Sequence, residues 1–97
     1  MTDLSGFSLD GKVAVITVAS EGIGRGIALG FARHGATVVL GSRTQANLDA
    51  VCAEITDLGQ ASLAVQADVN DASQIHNLIH TAHERFGRID VMVNNAG

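Results

Sequence analysis

Short apolar runs alternate along the chain with stretches in which apolar residues recur at helical spacing. The run Val13–Val18 has the pattern of a strand covered on both faces. From Ile23 the apolar residues follow a helical period up to His34 and Gly35, where glycine suits the left-handed position that ends a helix. The pattern therefore predicts a strand followed directly by a helix.

The same alternation continues to Asn94. Further strands are predicted over Thr37–Leu40, Ser62–Ala67 and Asp90–Asn94. A second helix ends at Gly59, and a third begins at Asp71 and ends at Gly87. The predicted apolar faces of these helices are Leu48, Val51, Cys52, Ile55 and Leu58, and then Ile75, Leu78, Ile79, Ala82 and Phe86. The order β-α-β-α-β-α-β with buried strands predicts an α/β fold with a parallel sheet, forming one domain over residues 1–97.

Composition and charge narrow the function classes. The 97 residues include 46% apolar and 16% charged residues, which excludes a disordered or fibrous chain. With a net charge of −4, the chain lacks the basic surface that binds nucleic acids or anionic membranes, so we expect neither as a partner. Cys52 cannot form an internal disulfide and is predicted to be a buried structural thiol. Because the N-terminal residues lack the features of a secretory signal, we expect a cytoplasmic protein.

Two glycines, Gly22 and Gly24, lie between the first strand and the first helix. Glycines at such a turn let the backbone approach a pyrophosphate, whose charge the helix N-terminus attracts. The alternative is a tight structural turn without a ligand, since a glycine pair alone is weak evidence.

Ser42 and Arg43 directly follow the second strand, where dinucleotide folds hold the adenosine ribose. An acidic residue there would favour NAD, whereas a hydroxyl and a guanidinium suit a 2′-phosphate. The sequence therefore predicts NADP as cofactor, with NAD less favoured. The alternative is a solvated surface arginine, because Glu21 stands where a second basic residue would help.

Four segments together resemble the short-chain dehydrogenase/reductase family. Its pattern T-G-x-x-x-G-x-G matches Thr17–Gly24 except at Val18. The pair Asp68-Val69, the helix end Phe86-Gly87 and the motif Asn94–Gly97 match as well. The resemblance covers essentially the whole chain and implies a Rossmann-like, three-layer fold: the nucleotide-binding half of an oxidoreductase that transfers hydride between a nicotinamide and a carbonyl or alcohol.

The resemblance also implies roles for individual residues. The pyrophosphate would be lined by Ser20, Gly22, Ile23 and Gly24. The adenosine ribose and its 2′-phosphate would meet Ser42 and Arg43, the adenine Asp68 and the backbone of Val69, and a second ribose Asn95, Ala96 and Gly97. Asp68 has an alternative role as a helix cap or loop acid.

The chain departs from the family pattern in two ways. Val18 replaces the first glycine of the turn, and a β-branched residue resists positive φ and adds methyl groups near the nucleotide. The milder alternative is an extended backbone with the isopropyl group turned aside. In addition, the family uses a Ser and a Tyr-x-x-x-Lys motif for proton transfer, whereas this sequence has no tyrosine and its only lysine is Lys12.

We therefore expect an N-terminal fragment of a longer NADP-dependent oxidoreductase, cut off after the fourth strand, which has no catalytic residues of its own and is inactive alone. The alternatives are a non-catalytic nucleotide-binding or subunit-pairing module, or a non-functional truncated product. We also expect self-association through the edge of the fourth strand, where Val91, Met92 and Val93 would be exposed.

Two further features carry structural expectations. His76, His80 and His83 share one face of the third helix, which superficially resembles a metal site but is predicted to be a hydrated polar flank. Gly26 and Gly30 in the first helix predict close packing against a neighbour, expected to be the sheet.

Overall fold

The computed structural model describes residues 8–18 and 21–95. Strands and helices alternate along them in the predicted order. They are β1 (Val13–Val18), α1 (Glu21–Arg33), β2 (Thr37–Ser42), α2 (Gln45–Asp57), β3 (Ser62–Gln66), α3 (Ala72–Phe86) and β4 (Val91–Asn95).

The strands form one parallel sheet in the order β3-β2-β1-β4. Helices α1 and α2 pack on one face and α3 on the other, which gives three layers. The prediction of a parallel, Rossmann-like α/β fold is confirmed.

The side chains of the strands alternate between two core clusters, because successive strand residues point to opposite faces. The cluster under α1 and α2 contains Ala14, Ile16, Ala28, Leu29, Ala32, Val38, Leu40, Leu48, Val51 and Ile55. The cluster under α3 contains Val13, Val15, Val39, Ala67, Leu78 and Ala82. Both faces of the sheet are therefore covered, as continuous apolar strands require.

Strand β2 extends two residues beyond the predicted end at Leu40. Gly41 continues the ladder because it pairs with Thr17 on one side and Val65 on the other. A Cβ atom at Gly41 would lie 2.6 Å from Leu78 Cδ2, so α3 packs directly onto the glycine backbone. The absence of a side chain at position 41 thus lets α3 approach the end of β2 that leads to Arg43.

The predicted helix ends agree with the structure. The Asp71 side chain accepts a hydrogen bond from the Ser73 N–H at 2.9 Å and begins α3. Gly35, Gly59 and Gly87 adopt positive φ angles after the three helices. These glycines are favoured because side chains strongly disfavour that conformation.

Packing of the helices differs from the prediction at several positions. Beyond the adjoining residues and backbone of α1, no atom of the described residues lies within 4 Å of a Cβ placed on Gly26 or Gly30, so the expected close contact with the sheet is wrong for the described structure. Leu58 is 41% exposed because it lies at the cap beyond the last turn of α2, and Ile79 is 39% exposed at the margin of the α3 face. Cys52 is half-buried against the first core cluster rather than fully enclosed.

Within the described ranges, none of the helices combines the length and apolar character needed to cross a bilayer.

Candidate functional site

The carboxyl ends of β1 and β4 lie side by side where the strand order changes direction. From β1 the chain builds the sheet toward β2 and β3, and β4 then returns to the opposite side of β1. Val18 pairs with Asn95 at this edge. In open parallel sheets, ligands bind in the crevice that forms at such a switch point.

A buried hydroxyl links β1 and β4 near their carboxyl ends. The Thr17 Oγ1 donates to the Asn94 Oδ1 at 3.0 Å and lies 3.4 Å from the Val93 carbonyl oxygen. Thr17 is only 1% exposed. Its hydroxyl therefore holds the amide of the Asn-Asn motif against β1.

The segment predicted to bind pyrophosphate leads from β1 into α1. Gly22 and Ile23 lie in the first turn of α1, and Gly24 is buried in the same helix. Ser20 falls outside the described residues. Because α1 starts at Glu21, shortly after β1 ends, the N–H groups of its first turn and the positive end of its dipole lie on the carboxyl edge of the sheet.

Val18 is the last residue of β1 and has the extended backbone of a strand. No non-glycine residue within 8–18 or 21–95 has a positive φ angle. The milder alternative for the valine backbone is therefore correct, and the substitution causes no conformational strain at this position.

The turn after β2 presents Arg43 to solvent. Ser42 beneath it is 5% exposed, and its Oγ accepts a hydrogen bond from the Thr44 N–H at 3.2 Å. No hydrogen bond or ion pair from any described residue reaches the Arg43 guanidinium. By contrast, Arg25 is paired with Glu54, with their closest side-chain atoms 2.6 Å apart. Arg43 is thus an available cation at the carboxyl edge.

The loop after β3 brings Asp68 and Val69 to the same edge. The Asp68 Oδ1 accepts from the Asn70 N–H at 2.9 Å, and the Asp68 N–H donates to the Gln74 Oε1 at 2.8 Å. Asp68 thus lies in the loop and does not cap α3, whose cap is Asp71. Among the described residues, neither the Asp68 Oδ2 nor the Val69 N–H has a partner. An acceptor and a donor remain available to a ligand there.

The residues predicted to meet the second ribose begin at the end of β4. Asn95 is the last residue of that strand and is paired with Val18. Ala96 and Gly97 are outside the described residues.

Two residues of this edge were missed by the sequence analysis. Gln66, the last residue of β3, donates from its Nε2 to the Arg43 carbonyl oxygen at 2.9 Å. Thr17 forms the link to Asn94. A polar residue inside an otherwise apolar strand was the available signal for Thr17, whereas an exposed glutamine carries no such signal.

The histidine face of α3 is solvated, as predicted. His76, His80 and His83 are all exposed, and the first two stack their rings with centroids 6.5 Å apart. The His80 Nε2 lies 3.2 Å from the Glu84 Oε1. Across the described part of the chain, no three His, Cys, Asp or Glu side chains are arranged to hold a metal ion.

The N-terminus of α1 and a loop with an available carboxylate acceptor and N–H donor thus lie on the same carboxyl edge of the sheet, where open parallel sheets bind ligands. Comparison with known families bears directly on this arrangement, because the short chain dehydrogenase model matches residues 12–97. The chain belongs to the short-chain dehydrogenase family. The predicted resemblance is confirmed, and with it membership of an oxidoreductase family that binds a nicotinamide dinucleotide.

Individual oxidoreductases are similar to this chain in sequence and in structure. An uncharacterized oxidoreductase of Methylorubrum extorquens is 50% identical over 90 residues, covering 92% of this chain and 36% of that protein. An L-rhamnose 1-dehydrogenase (NAD(P)+) of a Sphingomonas strain is 43% identical over 90 residues, with coverages of 92% and 35%. A hydroxysteroid dehydrogenase structure from Escherichia coli superposes with a TM-score of 0.90 at 37% identity, covering 98% of this chain and 40% of that one. The chain spans about a third of the length of these curated relatives.

Proposed function

We propose that this chain is the NADP-binding half of a short-chain oxidoreductase. In the complete reaction, hydride would pass between the nicotinamide ring and a carbonyl or alcohol substrate. The observation that carries the proposal is the exposed Arg43 guanidinium, without a partner among the described residues, at the carboxyl end of β2 and on the same sheet edge as the available groups of Asp68 and Val69.

Each group along this edge has a part in the proposed binding mode. The pyrophosphate would lie at the N-terminus of α1, against Ser20, Gly22, Ile23 and Gly24. The adenine would meet the carboxylate of Asp68 and the N–H of Val69. The ribose next to the nicotinamide would pass Asn95, Ala96 and Gly97. The domain responsible is the single unit formed by residues 1–97, in a cytoplasmic enzyme.

The preference for NADP follows from charge. A 2′-phosphate carries negative charge and several acceptor oxygens, and a guanidinium can bind it through two parallel N–H donors. The Ser42 hydroxyl lies beneath this position, and its proton is free to be donated while its oxygen accepts from Thr44. The Sphingomonas relative is named as using NAD(P)+, so support for the phosphate preference comes from the residues of this chain.

Binding titrations of the 97-residue chain with NADP and NAD test the proposal. We expect tighter binding of NADP, and an Arg43→Leu variant should weaken it by about tenfold to a hundredfold, because a charged hydrogen bond contributes about 1.5–3 kcal/mol. The NAD affinity should change much less. Arg33→Leu is the matched control, since Arg33 is exposed in the last turn of α1, away from this edge. Equal or tighter binding of NAD by the unmodified chain would contradict the assignment.

Proton transfer is proposed to require residues other than these 97. The sequence has no tyrosine, so no phenol is present to act as general acid or base in the manner of the family. We therefore propose that the chain binds NADP without turning it over. Oxidation of NADPH by the isolated chain with a panel of ketones, sugars and 3-oxoacyl compounds would contradict this.

A non-catalytic module that binds the nucleotide or pairs with another subunit is the second candidate. It is favoured by Met92, which is 43% exposed on the edge strand β4. A cooperative thermal transition whose midpoint rises with NADP would support a binding module. The absence of both a transition and a shift would indicate a non-functional product.

A further inference from the structure

Three hydrogen bonds hold the short turn that carries Arg43. The Ser42 carbonyl oxygen accepts from the Ala67 N–H at 2.8 Å, and the Ser42 Oγ accepts from the Thr44 N–H at 3.2 Å. The carbonyl oxygen of Arg43 itself accepts from the Gln66 Nε2 at 2.9 Å. The peptide groups on both sides of Arg43 are thus restrained, while its side chain remains free.

Of these three hydrogen bonds, only the one from Gln66 is donated by a side chain of another strand. It is exposed at the end of β3, where it pairs in register with Ser42, and it belongs to neither core cluster. Its amide makes no other hydrogen bond among the described residues. The side chain therefore contributes little to packing and acts on the carbonyl group of Arg43.

We infer that Gln66 is a positioning residue for Arg43 and thereby contributes to the discrimination between NADP and NAD. This inference rests on the proposed binding of the 2′-phosphate by Arg43. A long side chain loses conformational entropy when it binds a ligand, and a mobile backbone beneath it would add to that loss. By holding the Arg43 carbonyl group, Gln66 fixes the direction in which the Arg43 Cα–Cβ bond leaves the carboxyl edge of the sheet. It thereby reduces the conformational entropy that Arg43 loses when it binds the 2′-phosphate.

The test removes the amide donor and keeps the length of the side chain. In Gln66→Met the dissociation constant for NADP should rise about fivefold, the effect of losing one ordinary hydrogen bond, while that for NAD changes less than about twofold. Gln60→Met is the matched control, because Gln60 precedes the same strand at its opposite end. Thermal midpoints of both variants report whether either substitution disturbs the fold.

A double-mutant cycle separates positioning from a general structural effect. If Gln66 acts through Arg43, Gln66→Met should leave NADP binding unchanged when Arg43 is already leucine. An equal loss for NADP and NAD, a loss that persists in the Arg43→Leu background, or no loss at all would overturn the inference. Failure of the proposed function is distinguishable, because the unmodified chain would then show no preference for NADP before any substitution at Gln66; that result would overturn the inference too.

Discussion

Val18 is the residue at which this chain departs most clearly from the glycine turn of its family. The extended backbone at the end of β1 accommodates valine without strain, so any effect on the cofactor must come from the two methyl groups. We expect these methyl groups, which glycine lacks, to crowd the predicted pyrophosphate site.

We predict that Val18→Gly tightens NADP binding about fivefold, which corresponds to relief of roughly 1 kcal/mol of crowding. The same change should lower the free energy of unfolding by about 0.5–1 kcal/mol, since glycine weakens a strand. Isothermal titration and denaturant unfolding measure the two effects. Val18→Ala is the informative companion, because it removes the methyl groups while retaining a Cβ. An unchanged dissociation constant in both variants would rule out crowding.

Individual site residues could be predicted where a sequence motif or the end of a predicted strand identifies their position. Arg43 and Asp68 follow predicted strands, and the parallel sheet brings those strand ends to one edge, where both residues are found. Gln66 could not be predicted, because its role depends on the register between β2 and β3, which periodicity does not specify.

Among the elements, β4 is joined to β1 by a charged group at its amino end. The Asp90 Oδ2 accepts from the Val13 N–H at 2.8 Å, and the Arg88 guanidinium donates to both carboxylate oxygens of Asp90. The hydrogen bonds from Arg88, followed by that from the Val13 N–H, lower the pKa of Asp90. The Asp90 carboxylate thus takes the place of a backbone carbonyl as acceptor for the Val13 N–H, directly before β4 begins.

A lowered pKa in the folded state means that Asp90 stabilises the fold above the ordinary carboxyl pKa of about 3.9 and loses this contribution as the pH falls through its folded-state pKa. We predict that Asp90→Asn lowers the urea midpoint at pH 7 and that its difference from the unmodified chain narrows at about pH 3. Asp57→Asn serves as control, because the Asp57 carboxylate has no partner among the described residues. A difference that is constant across this pH range would contradict the prediction.

The order and type of the elements were predictable because strand and helix periods differ clearly. The packing of these elements against one another was harder to predict from the sequence. Gly26 and Gly30 suggested a close helix contact, yet open space lies beside both, because glycine in a helix identifies neither the face nor a neighbour. The end of β2 was missed because the apolar run stops at Leu40, whereas pairing with Thr17 and Val65 carries the strand further.

For the whole molecule, the order of the sheet leaves β4 on an outer edge of the described structure, with Met92 exposed. We predict concentration-dependent self-association of the isolated chain through this edge, measured by sedimentation velocity. Met92→Lys should raise the dissociation constant at least about tenfold, because lysine on an edge strand opposes strand pairing.

Leu58→Lys provides the control for this experiment, since Leu58 is similarly exposed, at 41%, but lies at the end of α2. A chain that remains monomeric at all concentrations, or equal effects of the two lysines, would exclude β4 as the contact.

The central position of β1 also has a consequence for the order of folding. Its bond to Asp90 joins residues 77 positions apart, whereas β2 follows it after a single helix. Closing such a long loop is entropically costly, so we expect the β1–β2 and β2–β3 pairs to form first and β4 to dock last. The hydrogen bond between Thr17 and Asn94 would then form only when β4 docks, so the carboxyl edge shared by β1 and β4 would be completed after the rest of this sheet.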